Sequence, residues 1–272
     1  NAFGTNTSSA VALTVSVATP ATVDLSGYTN GGAVTVSTPD TNTLVVNWTN
    51  KLGNKYRVQF NLMPGQALLR SLDTAPGAGG AFSAVATNVD ARYRVQIGSR
   101  FIKAGWPYIF FDDVDANIPP PVPYLSQLNP QNVRVISESS NRIKLVFSTL
   151  SLGPYNGELT CYVYDGSPLV QFQASMLVDQ PWMAYIYDAI FYANFANVAY
   201  KDSSGTFQTT AASSLTQTVP GEAAKIYAKH RTVMGTTPGG TGTLAVVAPP
   251  HTCVYPLDQS DNYGFLQAGK TF

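Results

Sequence analysis

One short segment combines a histidine, a tyrosine and a carboxylate in a chain that has only two histidines. His251 follows Pro249 and Pro250, and these prolines stiffen the backbone and favour a fixed position at a strand edge or in a loop. Together with Tyr255 and Asp258, an imidazole could abstract a proton at a sugar carbon or act as general acid and base on a glycosidic bond. We therefore predict His251, Tyr255 and Asp258 as catalytic residues. The alternative is a histidine that hydrogen-bonds a loop, because no spacing rule requires catalysis here.

Aromatic side chains cluster in two segments, and each segment has a tryptophan next to a proline. Exposed Trp and Tyr rings stack on the apolar faces of pyranose sugars, while nearby amides and carboxylates bind the hydroxyls. Ordinary core filling is the alternative, since alternating Tyr and Phe are common in buried strand faces. The predicted ligand-binding residues are Trp106, Tyr108, Trp182, Tyr187 and His230.

The densest acidic cluster has the residue types of a calcium site. Asp113, Asp115 and Asn117 alternate along the chain, so their oxygens can point to one side of a loop, as a hard cation requires. Ile118 stands where an EF-hand loop has its glycine, so that motif is not matched. Calcium is the one cofactor that the sequence suggests, and a solvated loop is the alternative, since Asp and Asn also favour turns.

Two cysteines, Cys161 and Cys253, lie far apart and outside any CxxC motif. With His251 they do not supply the four ligands that a structural zinc site needs. Two interpretations remain open: a single long-range disulfide, or two buried thiols.

Charge excludes some classes of partner. The 16 basic and 16 acidic residues balance, and charged residues make up only 12% of the chain, against about 25% in an average soluble domain. A neutral chain lacks the field that holds a polyanion, so nucleic acid and anionic membranes are poor partners. The most apolar stretch, residues 175–200, is interrupted by Asp179 and Asp188, so we predict no membrane span.

Hydrophobic periodicity favours strands almost throughout. Tyr56, Val58, Phe60 and Leu62 alternate with polar residues, and this period of two is typical of a strand with one buried face. Turn residues recur every 8–12 residues or so, and Asp165-Gly166 is a strong hairpin signal. We predict an all-β protein, a large antiparallel β-sandwich with few or no helices. Residues 203–220 are rich in hydroxyls and are predicted to form a loop.

The first 17 residues are treated as a separate unit from the sandwich predicted over 18–272. Residues 1–5 and 8–15 resemble the last hairpin of a bacterial immunoglobulin-like domain. Two interpretations follow: the segment is the end of such a domain, or it is a donor strand that completes the sheet of a neighbouring subunit. Its apolar residues alternate, as a strand requires: Val11, Leu13, Val15 and Val17.

The long β-region resembles the galactose-mutarotase-like supersandwich in its serial hairpins and in the segments 158–170, 184–189 and 248–258. The resemblance implies contact with a polysaccharide or oligosaccharide. The mutarotase's own His and Glu motifs do not recur, so no catalytic residue is carried over and the chain is not assigned as an enzyme. Low charge and abundant hydroxyls are common in secreted bacterial β-proteins, so an extracellular or cell-surface location is expected.

Two hypotheses of function result. The first is a secreted carbohydrate-associated β-sandwich, either a binding module or part of a polysaccharide-processing enzyme. The second is a structural subunit of an extracellular filament or surface layer that self-associates through residues 1–17.

Overall fold

The computed structural model describes residues 18–77, 79–99, 122–181, 183–202, 204–215, 224–226, 228–238, 242–247 and 266–268. These residues form nineteen β-strands and one 3₁₀ turn, Ala212–Ser214, and they contain no α-helix, so the predicted all-β class is confirmed. The strands are β1 (Thr22–Gly27), β2 (Thr35–Asp40), β3 (Thr43–Thr49), β4 (Lys55–Asn61), β5 (Leu69–Ala75), β6 (Ser83–Ser99), β7 (Val122–Leu125), β8 (Gln127–Leu128), β9 (Asn132–Ser139), β10 (Arg142–Leu152), β11 (Tyr155–Tyr164), β12 (Val170–Leu177), β13 (Met183–Tyr192), β14 (Asn197–Asp202), β15 (Phe207–Ala211), β16 (Ala224–Ile226), β17 (Ala228–Thr236), β18 (Thr243–Val247) and β19 (Leu266–Ala268).

Two large sheets pack face to face. The first sheet has the order β1-β9-β10-β11-β12, with β8 beside β10, and the second has the order β13-β6-β5-β4-β3-β2, with β7 beside β6. Phe60 of the second sheet and Phe147 of the first are fully buried between them, with ring centroids 5.2 Å apart. The predicted antiparallel β-sandwich is therefore confirmed, with its core between these two sheets.

The alternation read from the sequence sets which face of each strand is buried. Val58 and Phe60 on β4 are fully buried in the core, whereas Arg57 and Gln59 point to the opposite face and meet polar partners on β5. Successive side chains of a strand point to opposite faces, so a period of two gives one apolar and one polar side. The polar side is the outer face of the second sheet.

One strand pair departs from the antiparallel pattern. β1 runs parallel to β9, with Thr22 opposite Asn132 and Val23 opposite Val133. Seven strands lie between β1 and β9 along the chain, so no hairpin turn fixes their relative direction. The confirmed sandwich is therefore largely antiparallel, with one parallel pair.

β6 is the longest strand and connects two groups of neighbours. Its first half pairs with β5, from Ser83 opposite Thr74 to Val89 opposite Leu69. Its second half pairs with β7 on the same side and with β13 on the other. Asp90 and Arg92 lie where β6 changes from one group to the other.

The hairpin turn predicted at Asp165-Gly166 is confirmed between β11 and β12. Gly166 has a φ of +81°, a conformation that favours glycine. The turn also reaches the second sheet, because the Gly166 amide donates a 2.7 Å hydrogen bond to the Thr49 carbonyl oxygen. The two sheets are thus tied at this end of the sandwich.

A third sheet has the order β15-β14-β17-β18, and β16 pairs with β19. The predicted loop at 203–220 is wrong in part, because Phe207–Ala211 forms β15 and pairs with β14. Asp202 tightens the turn before it by accepting hydrogen bonds from the Thr206 amide and the Ser204 hydroxyl. The hydrogen bonds from the Ser204 hydroxyl and the Gln208 side chain, with smaller contributions from the Thr206 and Ser204 amides, lower the pKa of Asp202 to about 2.

Among the described residues, no helix is long and apolar enough to cross a membrane.

Candidate functional site

Most of the residues predicted from the sequence as site residues lie outside the described part of the chain. For these residues the catalytic, sugar-stacking and calcium assignments stay predictions. They are Trp106, Tyr108, Asp113, Asp115, Asn117, Trp182, His251, Tyr255 and Asp258. The segment 1–17, whose boundary the sequence placed before residue 18, is outside it too.

Tyr187 and His230 do fall on described strands. Tyr187 lies on β13 and is 45% exposed, at the end of a row of tyrosines. Its ring centroid is 6.5 Å from that of Tyr185, which in turn packs edge-on against Tyr155 at 5.8 Å. His230 lies within β17. Tyr187 is thus described and exposed, and its predicted role in ligand binding stays a prediction.

A polar cleft that the sequence did not predict lies where the second sheet meets β8 of the first sheet. Its volume is about 250 Å³, and it is lined by the turn between β4 and β5, the middle of β6 and the segment that includes and follows β8. We call it the amide cleft, because four of its side chains are amides. Its polar side chains are Asn61, Gln66, Asp90, Arg92, Gln127 and Asn129.

An ion pair fixes one wall of the amide cleft. Arg92 Nε donates a 2.6 Å hydrogen bond to Asp90 Oδ2, and Arg92 Nη1 donates one of 2.7 Å to the Ser126 carbonyl oxygen. Asp90 Oδ1 accepts from the Leu68 amide at 3.1 Å. The two residues are two positions apart on β6, so both side chains lie on the same face of the sheet. Arg92 is therefore held at two of its nitrogens, while Nη2 has no hydrogen-bond partner among the described residues.

The amides supply donors and acceptors around this guanidinium. Asn61 Nδ2 donates to the Ala67 carbonyl oxygen at 2.6 Å, which fixes the side chain and leaves Oδ1 available as an acceptor. Gln66, Gln127 and Asn129 are exposed, and their side chains make no hydrogen bond within the described residues. Each amide carries two N–H donors and a carbonyl acceptor, which matches a hydroxyl that both donates and accepts.

Tyr192 stands beside the ion pair. It is opposite Asp90 in the β6–β13 register, and a residue opposite another in an antiparallel pair lies on the same face of the sheet. Burial raises the pKa of its hydroxyl, although the nearby Arg92 and Arg94 guanidinium groups act in the opposite direction. The ring therefore stays neutral beside the ion pair, although it does not itself line the cleft.

The amide cleft is equipped for binding more than for acid–base chemistry. It contains one carboxylate, Asp90, and that carboxylate is already engaged by Arg92 and by a backbone amide. Hydrolysis of a glycosidic bond normally uses two carboxyl groups on either side of the bond. Within the described ranges there is also no cluster of three His, Cys, Asp or Glu residues that could hold a metal ion.

Sequence reasoning missed the amide cleft because its signal is three-dimensional. Gln127 and Asn129 lie in a stretch that reads as ordinary turn, and turn positions favour Asn for local reasons. The only local signal for the cleft was the pair of opposite charges at Asp90 and Arg92, two positions apart on one strand. Such pairs are usually solvated surface charges.

Cys161 is a free thiol on β11 and is completely buried in the core. Burial raises the pKa of this thiol, because the thiolate would lose its solvation. Of the two interpretations from the sequence, a buried thiol holds for Cys161, and Cys253 lies outside the described residues.

The comparisons with known proteins add no family. No family model matches the chain, and no curated protein matches it. The resemblances to the galactose-mutarotase-like supersandwich and to an immunoglobulin-like hairpin therefore stay predictions, whereas the all-β sandwich is established by the fold itself.

Proposed function

We propose that this protein is an extracellular β-sandwich that binds a polysaccharide or oligosaccharide, with the amide cleft as the contact for a sugar unit. One observation carries the proposal, namely a set of polar groups in the cleft that have no hydrogen-bond partner among the described residues. Arg92 is fixed by Asp90 and Ser126, and its Nη2 remains available to donate. The side chains around it that make no hydrogen bond there are those of Gln66, Gln127 and Asn129. These groups would otherwise have only water to bind.

The chemistry of the cleft suits sugar hydroxyls. Amides and a guanidinium edge can bind neighbouring hydroxyls, while the Met63 and Leu128 side chains that line the cleft can contact the apolar face of a pyranose. The volume of about 250 Å³ lies just below the ~300–1,000 Å³ of pockets for drug-sized ligands. This size supports contact with one unit of a longer chain.

The composition of the chain supports the same class of ligand. Basic and acidic residues balance at 16 each, so a strongly charged polymer gains little from long-range attraction. The cleft itself pairs its one carboxylate with its one guanidinium. A neutral or weakly acidic polysaccharide is therefore the ligand that the surface favours.

The test is affinity for a panel of neutral and uronic-acid polysaccharides, measured by retention and by titration calorimetry. The double variant Gln127→Ala, Asn129→Ala should bind about tenfold more weakly, because each lost hydrogen bond costs roughly 0.5–1.5 kcal/mol. Both side chains are exposed, so the fold should be unaffected. The matched control is Asn156→Ala, Gln180→Ala, which removes one exposed Asn and one exposed Gln that do not line the cleft, and it should bind like wild type.

Different failures have different meanings. Retention on none of the polysaccharides would reject sugar binding altogether. Retention that survives the Gln127 and Asn129 substitutions but is lost in Trp106→Ala or Trp182→Ala would reject the amide cleft and move the site to the aromatic segments predicted from the sequence.

A further inference from the structure

β12 forms one edge of the first sheet. All eight of its residues pair with β11 in an unbroken register, from Val170 opposite Val163 to Leu177 opposite Asn156. Among the described residues no strand pairs with its other side. An edge of this length presents a row of backbone donors and acceptors to another strand.

The side chains of β12 do nothing to block that edge. Its sequence, VQFQASML, has no charge, no proline and no glycine, and its ladder has no bulge, whereas natural sheet edges usually carry at least one of these protections. The core is also open here. Phe172 and Met176 are only partly buried where they border the core. A further strand would therefore cover apolar surface as well as pair its backbone.

The opposite edge of the first sheet is β1, the first strand of the described residues. The Ala21 amide donates to the Leu62 carbonyl oxygen and Thr22 pairs with Asn132, so the chain enters through β1. A strand beyond β12 would lie five strand spacings, about 24 Å, from β1. The five residue steps from residue 17 to Thr22 reach at most about 18 Å. The chain between residue 17 and Thr22 is thus too short for residue 17 to lie beside β12 of the same copy.

We propose that residues 11–17 of one copy add as a strand to the free edge of β12 in a second copy. Val11, Leu13, Val15 and Val17 would face the core and cover Phe172 and Met176, while Thr14 and Ser16 would stay exposed beside the outward-facing glutamines of β12. The alternating apolar and polar residues of 11–17 thus match the alternating core-facing and exposed residues of β12.

The topology gives this assembly a direction. The donor segment leaves at the β1 edge and the acceptor is at the β12 edge of the same sheet, so each copy can donate on one side and accept on the other. Such head-to-tail contacts do not close on themselves after two copies, and they generate open chains or rings. This self-assembly is independent of the amide cleft, because no residue of β12 lines that cleft.

The first experiment measures mass against concentration by sedimentation velocity on the full chain. Wild type should form species that grow with concentration. The donor variant Leu13→Glu, Val15→Glu should stay monomeric, because two carboxylates would face the core of the neighbour. The matched control Thr14→Glu, Ser16→Glu adds the same charge on the side that stays exposed and should assemble like wild type. Cooperative thermal melting of each protein, at a concentration too low for assembly, confirms that each is folded.

The second experiment locates the acceptor by amide hydrogen exchange of peptides that cover β12. In assembled wild type, exchange in residues 170–177 should be at least about tenfold slower than in the donor variant. Three results would each overturn the proposal: a wild type that is monomeric throughout, assembly that the donor variant retains, or protection that appears on another strand such as β2 while β12 is unchanged. A monomer would favour the other interpretation of residues 1–17, the end of an immunoglobulin-like domain.

Discussion

Trp48 Nε1 donates a 2.6 Å hydrogen bond to the carbonyl oxygen of Ser167, which lies 119 residues further along the chain. The bond runs from β3 in the second sheet to the turn that follows β11 in the first. Trp48 is almost fully buried and its ring is stacked on Tyr56, with centroids 5.6 Å apart. Together with the Gly166–Thr49 hydrogen bond, it closes one end of the sandwich.

Replacing this tryptophan tests how much the closure contributes to stability. Trp48→Phe removes ring volume from the core and leaves the Ser167 carbonyl oxygen without its donor, so the free energy of unfolding should fall by about 2–4 kcal/mol. Denaturant unfolding measures it. Tyr56→Phe is the control, since it removes only the hydroxyl that accepts from Asn50 Nδ2, and it should cost no more than about 1 kcal/mol. Equal losses in the two variants would contradict the role given to the Trp48–Ser167 bond.

Two ion pairs of similar length should differ in their effect on stability because they differ in burial. Arg57 Nε lies 2.7 Å from Asp73 Oδ2, and the Asp73 side chain is 4% exposed. Arg134 Nη2 lies 2.8 Å from Glu158 Oε1, and both side chains are nearly half exposed. Asp73 Oδ2 also accepts from Gln59 and Ser71, so its loss leaves several polar groups unpaired.

The expected result is therefore a contrast. Asp73→Ala should lower the free energy of unfolding by about 2–3 kcal/mol, whereas Glu158→Ala should change it by less than about 1 kcal/mol. Urea unfolding of both variants in low and high salt gives the comparison. A larger loss for Glu158→Ala would show that burial does not govern these pairs.

Tyr93 should make stability depend on pH in the alkaline range. Burial raises the pKa of its hydroxyl from 10.0 to about 12. Because the unfolded chain then loses this proton at a lower pH than the folded chain, the stabilisation is complete below pH 10 and is lost as the pH rises through 12. Tyr93→Phe should therefore lose less stability than wild type between these values. Chemical unfolding at each pH measures the difference, and parallel pH profiles for the two proteins would contradict the assignment.

Cys161 should be unreactive in the folded protein. The thiol is completely buried and its pKa is raised by burial, so both access and thiolate formation are suppressed. In a Cys253→Ser background, a thiol reagent at mildly alkaline pH should modify Cys161 only as fast as the protein unfolds. Rapid modification of the folded chain, at a rate that denaturant does not increase, would contradict its position in the core.

The parts of the fold that were predicted correctly are those set by local chemistry. The alternation in β4 gave its buried face, and Asp165-Gly166 gave the turn between β11 and β12, because each signal acts over a few residues. The parallel position of β1 was missed, since it depends on pairing with a strand more than a hundred residues away. β15 was taken for a loop because hydroxyl residues suit loops, although threonine also favours strands. The amide cleft was missed because three separate segments build it.

The length of β6 should couple the unfolding of the strands that pair with it. Its single 17-residue run hydrogen-bonds β5 through one half and β7 and β13 through the other. A disturbance that frays one half is transmitted along the same backbone to the second, so the two groups of strands should melt as one cooperative unit. Cutting the chain within this strand would therefore abolish both groups at once, leaving no half-molecule able to survive alone.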